Sequence, residues 1–104
     1  MHAVIRRYEG FDESRIDELT DSLRDRFLPR VREISGLEAY YFVNAGAGTI
    51  ATIGIFESPE GAEQSTQLAR DFIRDEGLSD LLPNRPEITS GDVLGRTSRS
   101  AMSA

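Results

Sequence analysis

Residues 36–58, Gly-Leu-Glu-Ala-Tyr-Tyr-Phe-Val-Asn-Ala-Gly-Ala-Gly-Thr-Ile-Ala-Thr-Ile-Gly-Ile-Phe-Glu-Ser, constrain the fold more than any other stretch. They read as a β-hairpin, with runs Leu37–Val43 and Thr49–Phe56 joined by Asn44-Ala45-Gly46-Ala47-Gly48. A half-buried strand alternates apolar with polar residues. Here both faces are apolar. Leu37, Ala39, Tyr41 and Val43 point one way, Tyr40 and Phe42 the other; Ala51, Ile53 and Ile55 oppose Ile50, Thr52 and Phe56. A sheet built on such strands needs cover on both sides.

The joining loop formally fits a dinucleotide pattern, G-x-G-x-x-G/A, in Gly46-Ala47-Gly48-Thr49-Ile50-Ala51. That pattern works only where a helix follows, so that its N-terminus meets a pyrophosphate. The residues that follow are β-branched and read as strand. The glycines are turn residues.

On either side of the hairpin the chain alternates strand and helix. His2–Tyr8 is a short β run with Val4 and Tyr8 on one face and Ala3 and Ile5 on the other. Arg6 and Arg7 therefore point to opposite faces. They read first as solvated or paired at the strand's end, and alternatively one of them reaches an anionic ligand. Gly10 breaks the strand and Asp12 caps a helix, with Glu13 in its first turn. Ile16, Leu19, Leu23, Phe27, Val31 and Ile34 form its apolar stripe. Pro29 lacks a backbone donor and biases Leu28 away from helix, so a kink or break is expected near Leu28–Pro29, before Gly36.

Ser58-Pro59-Glu60 starts a second helix, with Ala62, Ser65, Ala69, Phe72 and Ile73 on one face and Gly77 at its end. The small residues let this helix lie close to the sheet. Leu78, Leu81 and Leu82 anchor the chain before Pro83, and a last strand spans Glu87–Leu94, with Gly91 expected at a bulge or bend. One domain is expected over residues 1–95, followed by a polar, disordered tail at 96–104.

Composition removes whole classes of chemistry. With 18 acidic against 12 basic residues the net charge is −6, which argues against nucleic acid or an anionic membrane as the main partner. Every basic residue is arginine, and there is no Lys, Cys or Trp and one His. Schiff-base catalysis, thiol catalysis and cysteine zinc sites are therefore excluded. His2 cannot alone build a two-histidine iron site, and a serine triad would have to use it near a chain end. No metal and no cofactor are expected. No apolar run approaches the roughly 18 residues of a membrane span, and the charged start of the chain does not read as an export signal, so a cytoplasmic location is expected.

The order β-α-β-β-α-β predicts an α+β, ferredoxin-like fold: a four-stranded antiparallel sheet with two helices on one face. The other face would be left bare, and a two-fold partner offering the same face would cover it. In this the sequence resembles the dimeric α/β-barrel superfamily and, within it, the antibiotic biosynthesis monooxygenase-like proteins. The resemblance covers about residues 2–94. Two junctions carry it: Ile34-Ser35-Gly36-Leu37-Glu38-Ala39-Tyr40-Tyr41, helix into aromatic strand, and Ile55-Phe56-Glu57-Ser58-Pro59-Glu60-Gly61-Ala62, strand into capped helix.

The resemblance implies a homodimer that binds a small apolar or aromatic ligand, with a cofactor-independent oxygenase-like activity. The alternative is a non-catalytic dimerisation or protein-interaction module. Haem-degrading members use a helix His and a Trp, neither of which this chain has. The expected ligand site is an apolar cavity between helices and sheet, with Tyr8, Phe27, Tyr40, Tyr41, Thr52 and Phe72 as lining candidates and Asn44 if it faces inward. The competing reading makes these aromatics core and interface. Tyr40 and Tyr41 face opposite sides, and the hairpin register leaves open which one faces the helices.

Overall fold

The structure, a computed structural model, describes residues 1–99. Strands β1 (His2–Tyr8), β2 (Leu37–Gly46), β3 (Thr49–Phe56) and β4 (Glu87–Asp92) form one antiparallel sheet in the order β2-β3-β1-β4. Between β1 and β2 run α1 (Ile16–Ser22), a π turn (Leu23–Phe27) and α2 (Leu28–Val31); α3 (Pro59–Asp75) joins β3 to β4. Both helical segments pack on one face, the ferredoxin-like α+β arrangement.

Pairing settles the hairpin register. Tyr40 lies opposite Gly54 and Phe42 opposite the buried Thr52, so these two face the helices. Tyr41 lies opposite Ile53 and Val43 opposite Ala51, on the bare side. Leu37 departs from the simple alternation. A register shift between Leu37 and Ala39 pairs Leu37 with Phe56 and turns it into the core, because a bulge adds a residue and resets the pleat. At the other end β2 runs on to Gly46, so the link is the two-residue turn Ala47-Gly48 rather than five residues. Both take positive φ, 52° and 74°, as a tight turn matched to strand twist requires. The candidate dinucleotide motif is thus turn and strand.

Of the kink or break expected near Leu28–Pro29, the break does not occur, and the irregularity takes the form of a π turn. The helix widens ahead of Pro29: the Leu28 N–H donates to the Leu23 carbonyl, five residues back, and Leu28 keeps helical angles (φ −57°, ψ −39°). A π turn moves the carbonyl that the proline ring would otherwise strike, so the chain bulges instead of ending. Gly91 likewise forms no bulge. It pairs in register with Ala3, and β4 ends at Asp92, two residues short of the expected limit. Asp12 caps a 3-10 turn, Glu13–Arg15, that leads into α1, its carboxylate accepting from the Ser14 N–H at 3.1 Å; α1 itself follows Arg15 without a side-chain cap. Ser58 is extended at the cap position of α3 without a capping hydrogen bond from its own side chain.

Small residues bring α3 onto the sheet. Gly61, Ala62, Ser65 and Ala69 are buried with Phe72. A Cβ at Gly61 would stand 2.9 Å from Phe56 Cδ1 and 3.1 Å from Phe56 Cβ. In an open helix Gly→Ala gains about 1 kcal/mol. Here overpacking reverses the sign, and Gly61→Ala is expected to lose about 1–3 kcal/mol in urea unfolding.

Among the described residues no helix lies over the far face. Across it run Thr89, Ile5, Ile53 and Tyr41, one from each strand. Ile5 is 41% exposed, Val43 41% and Tyr41 59%. After β4 the Val93 N–H donates to the Met1 carbonyl at 2.9 Å, and Arg96 reaches the Glu38 carboxylate at 3.8 Å. Of the tail expected at 96–104, residues 100–104 lie outside the described residues. Among the described residues no helix is long and apolar enough to cross a membrane.

Candidate functional site

The alternation of β1 puts Val4, Arg6 and Tyr8 under the helices, so a charged residue enters a row that is otherwise core. Arg6 is 1% exposed. Around it the core divides: Tyr8 belongs to the larger apolar cluster, Val4 to a smaller one with Phe56 and Ala62. Guanidinium groups keep their charge in proteins, and removing one from water costs several kcal/mol unless partners compensate.

The partners of Arg6 are neutral hydroxyls. Nη1 donates to Ser65 Oγ at 3.2 Å and Thr66 Oγ1 at 2.9 Å, and Nη2 donates to Tyr40 Oη at 2.5 Å. Ser65 and Thr66 each direct their own proton to the Ala62 carbonyl, at 2.7 and 3.3 Å, which leaves their lone pairs for Arg6. Nε–H has no acceptor, and among the described residues no carboxylate pairs with this guanidinium. Its charge is solvated but not cancelled.

Arg6 forms part of the wall of a cleft of about 570 Å³ between β1, β4, the second half of α3 and residues 79–86. Tyr8, Ile73, Leu82, Pro86 and Ile88 supply rings and aliphatic surface, and Thr66, Arg70 and Arg85 add polar groups. The volume falls in the range of small-molecule sites, roughly 300–1,000 Å³. A second, more open hollow of about 720 Å³ shares Thr66, Arg70 and Ile88 with it and runs past His2, Glu60 and Glu63. The larger hollow is a shallow groove, and the deeper chemistry lies in the first. Burial pushes the Tyr8 phenol above its ordinary range, opposed by the neighbouring Arg6 charge, so it stays protonated at neutral pH and can donate a hydrogen bond.

Of the residues singled out from sequence, Tyr8 lines this cleft. Tyr40 touches it through Arg6, and Thr52 lies opposite Arg6 in the β1–β3 pairing, buried with Oγ1 unpartnered. Phe27 and Phe72 fill the core, their ring centroids 5.1 Å apart, and Phe27 packs edge-on against Tyr40 at 5.8 Å. Tyr41 stands on the bare face, and Asn44 serves the hairpin end, its Oδ1 accepting from the Gly46 N–H at 3.0 Å. His2 is 3.5 Å from Asp92 through Nδ1, outside the main cleft.

Against the expectation of an apolar cavity edged by a few polar groups, the cleft has the apolar surface, and three arginines stand among its polar groups. The first reading of Arg6, a solvated or paired strand-end residue, does not hold: its neighbours at ±2 are core, and the strand carries it inward. That spacing was the available signal. Thr66, Arg70 and Arg85 carried none, since their convergence depends on how α3 and residues 79–86 meet. Among the described residues, no three His, Cys, Asp or Glu side chains group to hold a metal ion.

Solved structures share this architecture. A protein of unknown function from Nitrosomonas europaea matches with a TM-score of 0.73 and 21% identity, covering 93% of this chain and 92% of that one. A monooxygenase of Streptomyces coelicolor, solved in complex with nanaomycin D, matches with a TM-score of 0.70 and 15% identity over 93% and 90% of the two chains. The chain shares the ferredoxin-like α+β fold of these structures. A further antibiotic biosynthesis monooxygenase matches at a TM-score of 0.68 and 14% identity, over 91% of this chain and 100% of that one. No family model and no curated protein matches the sequence. At these identities the likeness is one of fold. What this scaffold does here depends on the chemistry of the Arg6 cleft itself.

Proposed function

We propose that the protein is a homodimer that binds a small aromatic compound in the Arg6 cleft and acts on it as a cofactor-independent, monooxygenase-like enzyme. The observation that carries this is a buried guanidinium without a countercharge, beside a protonated phenol, in the wall of an apolar cleft of ligand size. A phenol or enol placed against Arg6 ionises more readily, because the opposite charge favours its anion. An electron-rich anion of this kind can transfer electrons to dioxygen itself. One oxygen atom then enters the substrate and the other leaves as water, with all reducing electrons supplied by the substrate. Tyr8 donates a hydrogen bond to the developing oxyanion and holds the ring in place.

The bare face supports the dimer: it presents Ile5, Ile53, Tyr41 and Val43 to solvent in a single subunit, on a fold that is typically dimeric. A purely structural, self-associating module would use that face and have no use for an uncompensated charge on the opposite side of the sheet.

The test is a thermal-shift screen of fused-ring phenols, followed by oxygen-uptake measurements on those that bind. Binders are expected to raise the melting temperature. Tyr8→Phe should keep the dimer and weaken such binders about 5–10-fold, the value of one hydrogen bond. A screen without a single stabilising compound would overturn the reading.

A further inference from the structure

Charge is distributed around the cleft in the opposite sense to the rest of the chain. The sequence has 18 acidic residues against 12 arginines. Yet Arg6, Arg70 and Arg85 line the cleft and no Asp or Glu does. Elsewhere most arginines are paired: Arg7 with Glu87, Arg15 with Glu18, Arg24 with Asp21, Arg26 with Glu76, Arg74 with Asp71 and Asp75, and Arg96 with Glu38, while Arg30 lies over the Phe72 ring. Arg70 sits on the same helix as Asp71, Asp75 and Glu63, but among the described residues neither it nor Arg85 makes an ion pair. Both are exposed, whereas Arg6 is buried. The cleft therefore holds one cation in its interior and two toward solvent.

One phenolate balances one of these charges. We infer that the ligand is an aromatic acid, carrying a carboxylate at one end for Arg70 and Arg85 and its reactive oxygen at the other for Arg6 and Tyr8. A carboxylate suits the planar, forked donors of arginine. Ile73, Leu82, Pro86 and Ile88 provide the apolar surface for the ring between the two ends. The outer pair sets orientation at close range, where two local cations outweigh the net charge of −6 that the whole chain carries. This rests on reading the cleft as a ligand site, and it adds the chemical class of the ligand.

The experiment compares two probes of equal shape by calorimetry, 6-hydroxy-2-naphthoate and its neutral amide, 6-hydroxy-2-naphthamide, on the 104-residue chain. The acid is expected to bind at least 10-fold more tightly in 20 mM salt, with the gap narrowing at 500 mM. The double variant Arg70→Gln/Arg85→Gln changes only exposed side chains. It should bring the acid down to the affinity of the amide and leave the amide and the melting temperature unchanged. Equal affinity for both probes would overturn the aromatic-acid assignment while leaving the cleft a ligand site. Binding of neither would overturn both readings. Inorganic phosphate matching the acid in affinity would also overturn the assignment, since the ring would then contribute nothing.

Discussion

Arg6→Met is expected to leave the protein at least as stable as the native chain while removing its ligand affinity. The substitution exchanges a buried cation for an unbranched apolar side chain of similar length. Ser65 and Thr66 keep their hydrogen bonds to the Ala62 carbonyl, so the main loss is the donor to the Tyr40 hydroxyl. Breaking a buried ion pair costs about 3–5 kcal/mol, because a countercharge is stranded. No countercharge is present here to strand. Stability in urea should therefore stay level or rise by up to about 2 kcal/mol. Binding of 6-hydroxy-2-naphthoate should weaken roughly 30–150-fold, the value of a charge-assisted hydrogen bond of about 2–3 kcal/mol. A stability loss of about 3 kcal/mol or more would make Arg6 a structural strut. Unchanged affinity would remove it from the site.

Ile53→Asp should split the dimer. Ile53 lies at the centre of the bare face, between Ile5 on β1 and Tyr41 on β2. In one subunit the side chain is half-buried, with no helix above it, and an Asp there can hydrate. In the proposed dimer the two-fold axis would bring two copies of this face together and both carboxylates would lose their water, at several kcal/mol each. Association should weaken by roughly 1,000-fold or more, equivalent to about 4 kcal/mol. Sedimentation would then show an 11.6 kDa species with native far-ultraviolet dichroism. A native chain that already sediments at 11.6 kDa would overturn the dimer.

Element order and face assignment were legible because they depend on local periodicity. The β3 pattern, Ile50, Thr52 and Phe56 against Ala51, Ile53 and Ile55, survives unchanged in the structure. Places where one residue is added or absorbed were not legible. The Glu38 bulge turned Leu37 over, and the π turn ahead of Pro29 let a helix continue where local rules stop one. Each depends on tertiary packing outweighing a local preference. The site was half legible. Tyr8 followed from its face, and Arg6 was on that face too, yet the usual preference of arginine for water outweighed the spacing. Arg70 and Arg85 are 15 residues apart in sequence, and only the path of residues 79–86 brings them to one cleft.

That path has a kinetic consequence. Leu78, Leu81 and Leu82 are buried, Pro83 and Pro86 bracket the next turn, and the Asn84 amide donates to the Glu9 carbonyl at 3.0 Å, in space left by the absent side chain of Gly10. The entrance is braced like a door frame and not hung like a door. Occupancy then requires no closing step. Stopped-flow traces should rise as a single exponential whose rate climbs linearly with ligand concentration, without the plateau that a hinged cover imposes.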